Sequence, residues 1–250
     1  MERHRSGFSI IGRLAVIVLL SASEILFSTT TTLAQEAYPV NSVPFGMTYG
    51  DWEVAYFQYV FSIPASSNPM LDPSGAACNI AQPSGPVFFL NLIPDHAFFP
   101  AWFAGSYAIR TCTIPSRALW IPIAGWLCSN LELPAPEFTP HGLRKCAATA
   151  VDGIDIRSLE LIVDGKSLSG LIRERRVQSP YFEFRMPAFD SVLPWTDAMS
   201  GSAVSDGYFV LLKPLSPGKH VIQFGGAYLS GISPGGLAGD FSVMYNLTVQ

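Results

Sequence analysis

The sequence carries little charge for its length. Only 14% of its 250 residues are Asp, Glu, Lys or Arg, whereas a typical soluble domain has about 25%. Because 49% of the residues are hydrophobic, the composition excludes a disordered or coiled-coil chain. The formal net charge is −4, which provides no basic surface for a phosphate backbone. The sequence therefore predicts no nucleic-acid binding.

Long hydrophobic runs are also missing. The apolar run at residues 14–20 follows several arginines and is interrupted by Glu24, short of the roughly 20 residues that span a bilayer. Small side chains end the segment at Ala34. This order is typical of a secretory signal peptide over residues 1–34, with a retained anchor helix as the alternative. We expect a secreted or periplasmic product, residues 35–250, with no transmembrane segment after cleavage.

Cysteine is scarce but even in number. No two cysteines are closer than sixteen positions, whereas zinc ligands usually come in close pairs. An even count in an exported chain favours disulfides, and four cysteines allow three pairings. We favour pairing between neighbours because it closes short loops that are poor at ordering themselves. The predicted bonds are Cys78–Cys112 and Cys128–Cys146, with no metal site and no cofactor.

Motifs for nucleophilic and phosphate chemistry are absent. The chain has no Gly-x-Ser-x-Gly turn and no phosphate-cradling glycine loop, so nothing local prepares a serine hydrolase or a nucleotide site. Paired carboxylates could cleave a sugar from any positions in a β-fold. Glu53, Asp72, Asp95 and Asp206 are available, but no spacing selects two of them.

Histidine is rare as well, since only His96, His141 and His220 follow the predicted signal peptide. Any of them could join Asp72 or Asp206 in a metal site. None of the pairs has the spacing that places two ligands on one face of a helix or strand. Solvated loop histidines are therefore the favoured interpretation.

One helix is well marked. Thr48 is followed three residues later by Asp51, which is typical of a capping box, and Pro64 predicts the end of the helix. An aromatic stripe follows at spacings of three and four. Such a stripe is either a sugar-stacking platform or a face packed on the core, and we favour the core. Its members are Trp52, Ala55, Tyr56, Tyr59 and Val60.

The rest of the chain indicates short strands separated by turns. Asp164-Gly165 is a strong hairpin signal, residues 241–249 alternate strictly, and the proline-rich residues 129–140 are predicted as a loop. The pattern predicts a mainly β fold, an antiparallel β-sandwich of immunoglobulin-like or jelly-roll-like type with one N-terminal amphipathic helix, as a single domain over residues 35–250. The predicted strands are 87–90, 109–114, 118–123, 159–163, 181–186, 208–212, 221–224 and 241–249.

Two stretches carry a family resemblance. Residues 212–222, with the turn Leu215-Ser216-Pro217-Gly218, and residues 241–249 resemble the last two strands of bacterial immunoglobulin-like modules. The wider order of motifs is similar to a family of secreted bacterial β-sandwich proteins with no assigned activity, although Ser116-Arg117 stands where that family has Gly-Lys. The resemblance implies export and a disulfide-bonded β fold. The wider motifs are the aromatic helix, residues 68–78, residues 85–90 and residues 110–115.

Apolar side chains in a loop suggest a binding surface. Phe98, Phe99, Trp102 and Phe103 lie between two breakers, Pro94 and Gly105, and such clusters often mark partner or ligand surfaces. We therefore predict a binding or interaction module for an unknown protein or small ligand. The alternatives are an exported hydrolase or metal-dependent enzyme with a loop-built site, and a structural envelope component. The predicted ligand-binding residues are Asp95, His96, Phe98, Trp102 and Arg110.

Overall fold

Two five-stranded β-sheets account for most of the secondary structure. The computed structural model describes residues 36–92, 107–132, 138–229 and 239–250, all within the compact unit Gln35–Gln250. The first sheet has the order β1-β3-β8-β6, with β7 also paired to β8, and the second has the order β2-β10-β9-β4-β5. The strands are β1 (Val87–Phe89), β2 (Tyr107–Ile114), β3 (Ala118–Ser129), β4 (Glu160–Val163), β5 (Lys166–Ser167), β6 (Arg176–Gln178), β7 (Phe182–Arg185), β8 (Ser200–Leu212), β9 (Gly218–Tyr228) and β10 (Gly239–Val249).

The mainly β class is confirmed, but the sheets are mixed. β1 pairs with β3 in parallel, and β2 pairs with β10 in parallel. The expectation of antiparallel pairing throughout is therefore wrong for these two pairs. The chain leaves the first sheet after β1, runs through β2 in the second sheet and returns as β3. Such a crossover allows neighbouring strands to run in the same direction, which a tight hairpin does not.

The first helix, α1 (Tyr49–Phe61), begins where the sequence predicts. Thr48 Oγ1 accepts the Asp51 N–H at 3.2 Å, and Asp51 Oδ2 accepts the Thr48 N–H at 3.0 Å. These two bonds complete the capping box. The aromatic face of α1 is buried against Phe89, Trp120 and Phe209, so the favoured core-packing role of the stripe is confirmed.

A second α-helix, α2 (Pro140–Val151), was not predicted, so the expectation of a single helix is wrong. Thr139 Oγ1 accepts the Gly142 N–H at 3.0 Å, and Pro140 occupies the first helical position. Leu143 and Ala147 are fully buried on one face. The small alanine side chains of this helix give a weak apolar stripe, and the proline at its start resembles a loop signal. α2 begins at Pro140, the last residue of the predicted loop. Residues 133–137 of that loop lie outside the described part of the chain.

Both predicted disulfides are present. Cys78–Cys112 joins the segment after α1 to β2 with a Cα–Cα distance of 6.2 Å, and Cys128–Cys146 joins β3 to α2 with a distance of 6.0 Å. The main core cluster combines side chains of both sheets and α2. Among the described residues, no helix is long and apolar enough to cross a bilayer.

The predicted hairpin after β4 is also confirmed. Asp164 and Gly165 both have positive φ, at 50° and 76°, as a two-residue hairpin of the common twisted type requires. They connect β4 to β5 at the edge of the second sheet.

Candidate functional site

A cleft lies between the connection that follows β7 and the short 3-10 helix Ala65–Ser67. Its volume is about 270 Å³. Every residue from 187 to 198 except Trp195 contributes to its walls, together with Ala65 and Leu71. The cleft is therefore formed almost entirely by one connecting segment.

Hydrogen bonds hold that segment in place. The Asp190 carbonyl accepts the Ala65 N–H at 2.6 Å, and its carboxylate accepts the Ser66 N–H at 3.0 Å. Asp190 has φ 59°, a left-handed conformation that Asp tolerates better than most residues. At the other end, Trp195 Nε1 donates to the Leu131 carbonyl at 2.9 Å. The segment is thus fixed to α1's C-terminal side and to the end of β3.

The cleft combines apolar walls with negative charge. The Ser66 hydrogen bonds hold the pKa of Asp190 below its usual value, so this carboxylate stays ionised at neutral pH. Asp197 is a second acidic residue in the lining, and the described lining residues include no basic side chain. Phe189, at the rim, is 88% exposed. A cation with an apolar body matches these features.

Four of the five predicted ligand-binding residues lie outside the described part of the chain. These are Asp95, His96, Phe98 and Trp102, and the neighbouring Phe99 and Phe103 lie there too. Their roles stay predictions.

Arg110, the fifth, lies on β2 with its side chain wholly buried. Its guanidinium donates to the main-chain carbonyls of Met70, Asp72 and Asn91 at 2.5–2.8 Å. It also donates to the Tyr245 hydroxyl at 2.8 Å. These contacts connect two loops to the second sheet, which is a structural role. A role for Arg110 in ligand binding stays a prediction.

The structure does not bring His220 to the carboxylates that could complete a metal site with it. His220 Nδ1 lies 2.8 Å from Asp164 Oδ2, and Nε2 lies 2.8 Å from the Ser216 carbonyl. Asp72 instead accepts main-chain N–H groups of its own turn, and Asp206 binds Arg176.

One of the four carboxylates considered for sugar cleavage, Asp206, acts electrostatically on another, Glu53. The nearby Asp206 adds to the effect of burial, and together they raise the pKa of Glu53 on α1 well above its usual value. Both side chains are buried, at 0% and 3% exposure. A sugar therefore has no access to this pair.

A third carboxylate lies beside a disulfide and was missed in the sequence. One Glu132 oxygen and the sulfurs of Cys128 and Cys146 all lie within 4.8 Å of one another. Glu132 Oε1 accepts the Ser129 N–H at 2.7 Å, and burial raises the pKa of Glu132 to about 7. Because the two sulfurs are bonded to each other, they are not available as thiolate ligands for a metal. Nothing in the spacing of residues 128, 132 and 146 indicates this cluster, since it depends on how α2 packs on β3.

Comparison with known proteins adds no relative. No protein-family model, no curated protein and no solved structure matches this chain. The resemblance to secreted bacterial β-sandwich proteins therefore stays a prediction.

Proposed function

We propose that this is an exported, disulfide-stabilised binding protein whose cleft at residues 187–198 takes a small organic cation with an apolar body. The observation that carries the proposal is the union of two acidic residues and apolar walls in one cleft. Export is supported by the predicted signal peptide and by the two disulfides, which persist in oxidising compartments.

The size of the cleft limits the ligand. Pockets for drug-sized ligands have volumes of roughly 300–1,000 Å³, and this cleft, at about 270 Å³, is just below that range. An arylalkylamine or a short aliphatic amine fits such a volume, whereas a nucleotide or an oligosaccharide does not. The proposed ligand therefore has one charged group and one apolar group.

The charge of the ligand follows from the lining. The pKa of Asp190 is held low by Ser66, and Asp197 adds a second carboxylate. An ammonium group gains from both charges, whereas an anion is repelled. The exposed ring of Phe189 provides an apolar and cation–π surface for the same ligand.

Thermal denaturation with two matched ligands tests this proposal. 2-Phenylethylamine and 3-phenylpropionate share a ring and linker but carry opposite charges. We expect the amine to raise the melting temperature of the protein because binding stabilises the folded state. The carboxylate should leave the melting temperature unchanged. Equal effects of the two ligands, or no effect of any small amine in a panel of aromatic and aliphatic amines, would contradict the proposal.

Two variants locate the binding site. Asp197→Asn removes a carboxylate from the lining, and we expect it to abolish most of the amine-induced shift. Asp240→Asn removes an exposed carboxylate at the start of β10, outside the cleft lining, and serves as the matched control. Loss of the shift in both variants would indicate a general charge effect and not this cleft.

A further inference from the structure

We propose that Cys128–Cys146 is a redox-active disulfide that exchanges with thiols, with Glu132 as the proton donor and acceptor for Cys128. The proposal goes beyond ligand binding and uses a different part of the fold. It rests on the position of one partly buried carboxyl group beside one disulfide, at the junction of β3 and α2.

The two sulfurs differ in access. Cys128, near the end of β3, is fully buried, whereas Cys146, on α2, is only partly buried at the margin of the core. An incoming thiolate therefore reaches the Cys146 sulfur, and Cys128 is the leaving group. A thiolate that leaves into a buried site is costly unless it is protonated at once.

Glu132 can supply that proton. Its carboxyl oxygen lies within 4.8 Å of both sulfurs, and the Ser129 N–H holds the side chain in this position at 2.7 Å. With a pKa raised by burial to about 7, the group is present in both protonation states near neutral pH. Such a group can act as an acid in one direction and as a base in the other.

Charged side chains on α2 do not change the assignment of Glu132 as the proton donor and acceptor. Arg144 donates to Gln178 Oε1 and to the Ser179 carbonyl, while His141 and Lys145 are exposed. Among the described residues, the pKa of Glu132 responds to burial and to Ser129. The proton affinity of Glu132 is therefore set locally.

The reaction is the oxidation of a dithiol to a disulfide. One thiolate of the dithiol attacks Sγ of Cys146, the bond between Cys146 and Cys128 breaks, and its electron pair passes to Cys128, which takes the proton of Glu132. The second thiol of the dithiol transfers its proton to the Glu132 carboxylate. The thiolate so formed attacks the first sulfur of the same dithiol, which is bonded to Cys146 in the mixed disulfide. Cys146 leaves as a thiolate and takes the proton from Glu132. Two electrons pass from the dithiol to the protein, which then holds two thiols.

The other disulfide provides an internal control. Cys78 and Cys112 are both buried, at 6% and 4% exposure. Among the described residues, no carboxylate joins these two sulfurs in a cluster like that of Cys128, Glu132 and Cys146. The proposal therefore predicts different rates for the two bonds within one folded molecule.

Timed reduction of the oxidised protein with dithiothreitol tests the proposal. Samples are alkylated with iodoacetamide, and mass spectrometry identifies the modified cysteines. We expect Cys128 and Cys146 to be modified at least about tenfold faster than Cys78 and Cys112, given that exchange rates depend on access to the attacked sulfur. Equal rates for the two bonds would overturn the proposal, because they would indicate reduction only after unfolding.

Glu132→Gln tests the proton transfer while keeping an oxygen that can accept the Ser129 N–H. We expect reduction of Cys128–Cys146 to slow about 100-fold, the range of general acid catalysis, with Cys78–Cys112 unaffected. The matched control is Glu183→Gln, an exposed position on β7, which should retain the wild-type rates. A wild-type rate in Glu132→Gln would overturn the role of Glu132.

The pH profile provides a readout that a structural role would not change. When the rate is divided by the thiolate fraction of dithiothreitol, the wild-type value should fall as pH rises through about 7, because Glu132 loses its proton. In Glu132→Gln the same quantity should not change with pH. If that variant does not fold, the wild-type profile decides alone, and a flat profile through this range overturns the proposal.

Discussion

Arg176 on β6 binds Asp206 on the neighbouring strand β8 through two hydrogen bonds. Arg176 Nε lies 2.9 Å from Oδ1 of Asp206, and Nη2 lies 3.2 Å from Oδ2. The same guanidinium reaches Asp152, at the end of α2, at 2.6 Å. One side chain thus joins the first sheet to α2. Its two acidic partners differ sharply, since the Asp206 side chain is 5% exposed and that of Asp152 is 63% exposed.

Replacing these two aspartates should have unequal effects on stability. Asp206→Ala leaves a partly buried guanidinium without its buried partner, and we expect a loss of about 2–3 kcal/mol in the free energy of unfolding. Asp152→Ala removes an exposed partner of the same guanidinium and should cost less than about 1 kcal/mol. Urea denaturation of both variants at neutral pH measures the difference. Equal losses would show that burial of Asp206 does not govern this pair.

The buried Glu53 carboxyl should make stability depend on pH. Among the described residues, neither oxygen of Glu53 has a partner at hydrogen-bond geometry, and the same holds for the Ser205 hydroxyl. Burial raises the pKa of Glu53 in the folded state. The neutral carboxyl therefore makes its full contribution to the free energy of unfolding at pH values below 4.5, the usual pKa of this side chain. That contribution is lost as pH rises towards the folded-state pKa.

Glu53→Gln removes this titration. Between pH 5 and pH 8, the wild type should lose stability relative to the variant by at most about 1.4 kcal/mol per pH unit. Urea denaturation at several pH values measures the two slopes. Glu183→Gln, which alters an exposed carboxylate, should keep the wild-type slope. A parallel pH dependence in wild type and Glu53→Gln would contradict the neutral state of Glu53.

The Arg110 guanidinium should matter more to stability than a comparable arginine near the surface. Arg110→Met removes a wholly buried guanidinium and leaves the carbonyls of Met70, Asp72 and Asn91 without this donor. We expect a loss of at least about 3 kcal/mol in the free energy of unfolding. Arg117→Met is the matched control, since Arg117 is only partly buried and donates to the exposed Pro83 carbonyl. It should change stability by about 0.5 kcal/mol or less. Thermal or urea denaturation would refute the assignment if the two losses were similar.

The close approach of β9 and β10 requires glycine at position 225. A Cβ there would lie 2.1 Å from the Phe241 carbonyl oxygen, which belongs to the paired backbone and cannot turn aside. We expect Gly225→Ala to lower the free energy of unfolding by about 2 kcal/mol or more. Gly85→Ala, where a Cβ meets nothing within 4 Å, should leave stability unchanged or raise it slightly. Denaturation of the two variants side by side measures this contrast.

Much of the local structure could be predicted from the sequence. The capping box of Thr48 and Asp51, the positive-φ turn at Asp164-Gly165 and the alternation in β10 all depend on residues close together in the chain. The disulfide pairing was also predictable, because neighbouring cysteines close the shortest loops. α2 was missed because it follows a proline-rich segment and its buried face has only two large apolar side chains, Leu143 and Val151.

The candidate sites could not be predicted in the same way. The cleft depends on Asp190 holding its segment against Ser66, a contact between residues 124 positions apart in the chain. The Glu132 cluster depends on α2 packing beside the end of β3. Each of these contacts joins separate segments of the chain. Side-chain periodicity within one segment does not indicate which other segment it contacts.

The sequence by itself determined the mainly β class, the position of α1, the strongest turn and both disulfide bonds, because backbone preferences and side-chain periodicity act over a few residues. Only the tertiary structure decided the parallel pairings of β1 with β3 and of β2 with β10, the burial of Arg110 and Glu53, and the position of Glu132 beside a disulfide. Desolvation and strand pairing depend on contacts between distant segments, and these contacts exist only once the two sheets and the two helices have packed together.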